Sequence, residues 1–145
     1  MTTAPPGPRL EVTERPHPAE RASVAEALLA HNETFLGPAG ASPLAVVMRD
    51  PAGQVVGGVW GRIGHGWLFI EMVFVAAAQR GNGLGTVLLG RAEAEARQRG
   101  CGGVWLDTLS PDALRFYRRL GYEPFGSLPD HPPGHTRWFL RKALD

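Results

Sequence analysis

The chain is short of several things, and each shortage removes a class of function. It has one cysteine, Cys101, so an internal disulfide is excluded, and no His, Cys, Asp or Glu cluster falls at metal-ligand spacing. Cys101 reads as a small apolar residue at the start of a strand. Lysine is almost missing, with Lys142 the only one among 15 basic residues. That bias, with the abundance of Ala, Gly and Pro, points to a GC-rich bacterial genome. Net charge is +1 with the signs interspersed, so there is no basic stripe to neutralise a row of phosphates, and nucleic acid is not an expected partner. No apolar run approaches the ~18 residues of a membrane span, and the polar, Pro-rich N-terminus lacks a signal peptide's hydrophobic segment. A cytoplasmic protein with no membrane partner is expected. At 145 residues the chain is long enough for one real core and too short for two nucleotide-binding halves.

Glycine is what the chain has in a telling place. Gln79-Arg80-Gly81-Asn82-Gly83-Leu84-Gly85-Thr86 lies between a strand-like run, Trp67–Val75, and an amphipathic helical run, Leu84–Arg99. Three glycines at alternate positions remove every Cβ from one side of the turn, so the backbone can close on a ligand. At a helix start, free N–H donors and the positive end of the macrodipole make a seat for a phosphate or pyrophosphate.

The rest of the chain frames that loop. Met1–Pro8 reads as a flexible arm, Arg9–Arg15 as a first strand, Ala19–His31 as a helix with Pro18 in its first turn, and Asn32–Pro43 as a loop. Leu44–Arg49 and Val55–Ile63 form a hairpin across Asp50-Pro51-Ala52-Gly53, which has type I turn chemistry. Trp67–Val75 is apolar at both parities, which predicts a central strand buried on both faces. In the next helix Leu84, Val87, Leu88, Ala92 and Ala96 form the apolar stripe. Val104–Leu109 is a strand, and Ser110-Pro111-Asp112 caps a helix ending at Gly121. Strands Tyr122–Leu128 and Thr136–Lys142 follow, separated by the Pro-rich Pro129–His135. The expected fold is α/β: a mixed β-sheet flanked by helices, with one βαβ unit and a single domain over residues 9–145.

A Walker loop would need Gly-Lys-Ser/Thr, which is absent. A dinucleotide (Rossmann) fingerprint matches Gly81 and Gly83 and would use Asp107 on the ribose, but its third glycine position falls on Thr86. A third reading covers more residues. Arg80-Gly81-Asn82-Gly83-Leu84-Gly85 resembles the Gln/Arg-x-x-Gly-x-Gly/Ala loop of the Gcn5-related N-acetyltransferase family. Ala113-Leu114-Arg115-Phe116-Tyr117-Arg118-Arg119-Leu120-Gly121-Tyr122 is similar to that family's Ala-x-x-Phe-Tyr-x-x-x-Gly-Phe/Tyr signature. The resemblance extends in element order from Arg9 to Lys142.

That resemblance implies a splayed sheet and transfer of an acetyl group from acetyl-CoA to a primary amine, with coenzyme A as product and no metal. It implies that Arg80, Gly81, Asn82, Gly83, Leu84, Gly85 and Thr86 seat the pyrophosphate. Val73, Phe74 and Val75 would hold the pantetheine arm by main-chain hydrogen bonds, as a strand edge holds another strand. Ser110 and Phe116 complete the expected cofactor set. Ser110 stands where the family often has Asn, and its N-cap role competes for its hydroxyl.

Glu71 is the candidate base. It is the only charged residue in an otherwise apolar strand, where desolvation would raise its pKa, and the family often has a glutamate there. Its structural alternative is a carboxylate paired with an arginine such as Arg62. Tyr117 is the candidate acid or hydrogen-bond donor to the leaving thiolate, a position the family places beside the CoA sulfur. The implied partner is a small-molecule or peptide amine, with a homodimer left open. A catalytically silent CoA-binding sensor of the same fold is the alternative function.

Overall fold

The computed structural model describes residues 3–145; Met1 and Thr2, and so the start of the expected Met1–Pro8 arm, lie outside the described residues. Those residues divide into two units, residues 3–37 and Pro38–Asp145. In the first, helix α1 runs over Pro18–Leu36, longer than the expected Ala19–His31 because no breaker intervenes before Gly37. His17 caps it: Nδ1 accepts from the Ala19 N–H at 3.0 Å, and Glu20 Oε1 accepts from the His17 N–H at 2.7 Å. The strand expected over Arg9–Arg15 does not form. The Arg15 N–H instead donates to Thr13 Oγ1 at 3.0 Å, a local bond that competes with ladder formation.

The second unit is built on a six-stranded sheet. Its strands are β1 (Ser42–Arg49), β2 (Val55–Gly64), β3 (Trp67–Val75), β4 (Gly103–Thr108), β5 (Glu123–Pro129) and β6 (Thr136–Ala143). Helix α2 (Leu84–Gln98) links β3 to β4, and α3 (Pro111–Arg119) links β4 to β5. The spatial order is β1-β2-β3-β4-β6-β5, and only β3 and β4 are parallel. The β1–β2 turn has the expected chemistry, with the Gly53 N–H on the Asp50 carbonyl and Asp50 Oδ1 accepting from Ala52 and Gln54, all at 2.9 Å.

The core lies on one face of the sheet, under α2 and α3. Leu44, Val59, Leu68, Val104, Leu106 and Leu140 meet Leu88, Leu89, Ala92 and Ala96 of α2 and Tyr117 of α3. Each large apolar side chain buried there stabilises the fold by roughly 1.5–3 kcal/mol. The α2 stripe is rotated from its expected position: Leu89 is buried and Val87 is exposed.

Strand β3 departs from expectation in a way that bears on the site. It is not buried on both faces, since only Leu68 and Ile70 are buried. Its register with β2 jumps from Gly61↔Ile70 to Trp60↔Met72, so Glu71 is an extra residue, a β-bulge. Before the bulge the even-numbered residues face the core; after it Val73 and Val75 do, while Met72 and Phe74 face the other way. Gly61 makes the close approach at the kink feasible, because a Cβ there would lie 2.5 Å from the Phe69 carbonyl oxygen.

Candidate active site

The β3–β4 ladder has three rungs, Trp67↔Gly103, Leu68↔Val104 and Phe69↔Trp105, and then stops. From Ile70 onward β3 stays with β2 while β4 stays with β6, so the two central strands part toward their C-terminal ends. The splay expected of the sheet is present, and the Glu71 bulge, which bends β3, sits where it begins. The Ala76 N–H donates to the Val56 carbonyl on β2 at 2.8 Å. By strand alternation Phe74 also turns its main-chain groups to β2, while those of Val73 and Val75 point into the slot.

A cleft of about 660 Å³ opens at the mouth of this slot. Val73, Phe74 and Val75 form one wall, and Arg80, Gly81, Gly83, Leu84, Gly85 and Thr86 form its end. Ser110 and Phe116 come from α3 and its cap. Every residue expected to hold the cofactor therefore lines one cavity except Asn82, whose amide lies toward the Gln79 carbonyl at 3.5 Å. Gln79, Asp112 and Ala113 also line it and were not in the expected set. Gln79 and Ala113 do stand at the first positions of the glycine-loop and Phe-Tyr motifs, so the sequence carries a signal for them.

The loop has the features of an anion seat. Gly83 is the N-cap of α2 in the left-handed region (φ 71°), and no side chain caps the helix. The first N–H groups of α2 are thus left for a ligand. A Cβ at Gly81 or Gly83 would meet no protein atom within 4 Å, so the space above both is free for a ligand. Arg80 Nε donates to the Val75 carbonyl at 2.8 Å, and its guanidinium stands 5.6 Å from the Phe74 ring centroid. That leaves its Nη groups for a phosphate. Ser110 Oγ accepts from the Ala113 N–H at 3.2 Å, as an N-cap should, and its hydroxyl proton remains a donor toward the cleft.

The two candidate catalytic residues lie outside the cleft lining. Glu71 is not desolvated as expected: its side chain is 38% exposed and its Oε1 accepts from Arg62 Nη1 at 2.9 Å. The bulge turns it to the face opposite α2 and α3, where water reaches it. Tyr117 is buried, with its ring 5.4 Å from Phe116 and 5.7 Å from Tyr122. Burial pushes its phenol pKa up, and the nearby Asp107 carboxylate adds to the rise. Phe116, one position earlier on α3, faces the cleft.

The sequence profile of the acetyltransferase (GNAT) family matches residues 9–122. The chain belongs to the GNAT family. It is 40% identical over 126 residues to an acetyltransferase of Agrobacterium fabrum, covering 87% of this chain and 91% of that one. It is 43% identical over 93 residues to the blasticidin-S acetyltransferase of Streptomyces morookaense, covering 63% and 68%. A crystal structure from Agrobacterium tumefaciens, described as a candidate acetyltransferase, superposes with a TM-score of 0.88 at 34% identity, covering 93% of this chain and 98% of that one. As a GNAT protein the chain is an N-acetyltransferase, and the family's acetyl donor is acetyl-CoA. Among the described residues no group of three or more His, Cys, Asp or Glu could hold a metal, and no helix is long and apolar enough to cross a membrane.

Proposed function

We propose that this protein transfers the acetyl group of acetyl-CoA to the primary amine of a small molecule by direct attack on the thioester, with residues 9–145 acting as one catalytic domain. The observation that carries the reading is the ladder break after Phe69↔Trp105, beside a helix N-terminus capped only by Gly83. The pyrophosphate sits on the Gly81–Thr86 turn, and the pantetheine amides pair with the slot-facing groups of Val73 and Val75. The acetyl carbonyl then lies between the splayed strands, where a slot-facing N–H stabilises the oxyanion. By alternation that donor belongs to Val73 or Val75 rather than Phe74.

The acceptor approaches from the face of the sheet that carries Glu71. Its neutral nitrogen attacks the carbonyl carbon, the C–N bond forms, and the carbonyl π electrons move to oxygen. Collapse breaks the C–S bond, and the ammonium proton passes to Glu71 directly or through one water. Arg62 occupies Oε1 and fixes the carboxylate while Oε2 takes the proton. Tyr117 donates a hydrogen bond to the departing sulfur. A phenol ordinarily near pKa 10, raised further here, does not hand its proton fully to a thiolate of about 8.5, so Tyr117 stabilises the charge rather than neutralising it.

The relative acting on blasticidin S supports a small antibiotic-like amine as acceptor and makes that compound the first to test. Steady-state CoA release from acetyl-CoA, with and without blasticidin S and a panel of simple amines, tests the proposal. Amine-dependent release with formation of the N-acetyl product supports it. Release that never depends on an amine overturns it.

A further inference from the structure

Two ion pairs flank the slot in mirror order. Glu71 lies on β3 two residues past the last rung, and Asp107 lies on β4 two residues past the same rung. Phe69 and Trp105, the residues of that rung, touch ring to ring at 4.1 Å, so both carboxylates project from the face that carries this aromatic pair. Each carboxylate is held by an arginine one strand farther out. Arg62 on β2 binds Glu71, and Arg137 on β6 binds Asp107. Both pairs therefore place a carboxylate beside the slot, and the Arg62 guanidinium also lies over the Phe69 ring, 5.0 Å from its centroid.

The Asp107–Arg137 pair is the more enclosed. Arg137 and Asp107 are 26% and 23% exposed, against 64% and 38% for Arg62 and Glu71, and the Arg137 Nε is buried without a partner. A pair so enclosed, with one donor unsatisfied, is poor evidence for a purely stabilising role. The Asp107 carboxylate also adds to the rise that burial produces in the Tyr117 phenol pKa.

We propose that Asp107 is a second acceptor-contacting carboxylate, which with Glu71 selects an amine carrying another cationic group beside the reacting nitrogen. The inference rests on the acetyltransferase reading of the slot. The reacting amine sits by Glu71 and the second cation by Asp107, across a gap of at least one strand spacing, roughly 5 Å. The Phe69–Trp105 pair lies between them and offers apolar surface to the carbon chain that joins the two cations. Arg137 orients Asp107 by engaging Oδ1 and leaves the other oxygen for the substrate.

The test compares 1,4-diaminobutane with butylamine, which share a chain and differ by one cation. In the wild type kcat/KM for the diamine should exceed that for the monoamine about tenfold or more, the scale of one extra ion contact in a partly screened site. Asp107→Asn should bring the ratio close to one while leaving acetyl-CoA affinity within about twofold. The Asp107→Asn, Arg137→Gln double variant should do the same, and it covers the case in which an unpaired Arg137 unfolds the single variant. If neither amine turns over, calorimetric titration of each into the CoA-loaded protein gives the same comparison as a ratio of affinities. Equal use or equal binding of the two amines by the wild type overturns the proposal, as does a preference that survives in both variants. Failure of the underlying reading has a different signature, a wild-type protein that does not bind acetyl-CoA.

Discussion

Arg62 Nη1 holds Glu71 Oε1 at 2.9 Å, and Glu71 is the one residue of β3 that the β2–β3 register skips. The bulge and the ion pair together fix a carboxylate at the point where β3 leaves β4. Glu71→Gln keeps the shape and removes the proposed base. The expected outcome is a fall in kcat/KM of ~10²–10⁴-fold at neutral pH. Acetyl-CoA affinity should barely change, because Glu71 does not line the cofactor cleft. Stability should change by less than about 1 kcal/mol, since exposed ion pairs contribute little. Full activity in Glu71→Gln with a good acceptor would leave the carboxylate a purely structural partner of Arg62.

Gly83 separates a backbone requirement from a ligand requirement. Its φ of 71° penalises β-branched residues, so Gly83→Val should lose both stability and acetyl-CoA affinity. Asparagine tolerates the left-handed region, so Gly83→Asn should fold with a near-native melting temperature. Its side chain would still stand in the free space above the helix N-terminus. Calorimetry should therefore find acetyl-CoA binding at least about tenfold weaker in a folded protein. Unchanged affinity in Gly83→Asn would move the phosphate seat elsewhere.

The elements that build this seat could be read from the chain because their signals are local. The limits of Trp67–Val75 are marked by flanking turns, α2 begins at a glycine loop, and Ser110-Pro111-Asp112 announces α3. The burial of β3 could not be read, and the reason is the bulge. A strand that switches its inward parity halfway is apolar at both parities overall, so it imitates a strand buried on both faces. Only the lone Glu71 marks the switch, and its charge pointed to desolvation rather than to exposure beside an arginine. The insertion of β6 between β4 and β5 is equally silent, because strand order depends on pairings distant in sequence. From the sequence Asp107 reads only as a ribose ligand. Its relation to Glu71 depends on a register that the sequence does not encode locally.

Behind the site, Lys142 holds a second network together. Its Nζ donates to Glu93 Oε1 at 2.8 Å, and the Tyr122 hydroxyl donates to Glu93 Oε2 at 2.8 Å. Glu93 is 5% exposed. Lys142→Met removes the cation and leaves the carboxylate buried, so urea denaturation should show a loss of about 3–5 kcal/mol. Adding Glu93→Leu should recover most of it, less about 1 kcal/mol for the unpaired Tyr122 hydroxyl. A loss under 1 kcal/mol in Lys142→Met would mean that water reaches Glu93.

The two tyrosines set the alkaline limit of the fold. Burial raises both phenol pKa values, with Asp107 adding to the rise at Tyr117 and Glu93 at Tyr122. A pKa that is higher folded than unfolded means that the folded state keeps protons the unfolded chain releases. The resulting stability is complete below the unfolded phenol value of about 10 and is lost as pH rises above it. Burial also raises the Cys101 thiol pKa, which adds a smaller loss starting near the thiol's ordinary range. Unfolding free energies measured from pH 8 to 11 should be flat and then fall, and Tyr122→Phe should make the fall shallower. An unchanged slope in Tyr122→Phe would place the alkaline transition elsewhere.

The same raised pKa governs what Tyr117 can do in catalysis. A phenol that stays protonated throughout the assay range can donate a hydrogen bond to the leaving sulfur at every accessible pH. Tyr117→Phe should therefore lower kcat by about 10–100-fold, the worth of one hydrogen bond to a charged group, at every pH between 6 and 9. KM for acetyl-CoA should change little, because the bond strengthens only as negative charge develops on sulfur. A wild-type basic limb near pH 8–9 that vanishes in Tyr117→Phe would show instead that the phenol titrates within the working range and acts as a true acid. Unaltered kcat in Tyr117→Phe would return Tyr117 to the core that it shares with Tyr122.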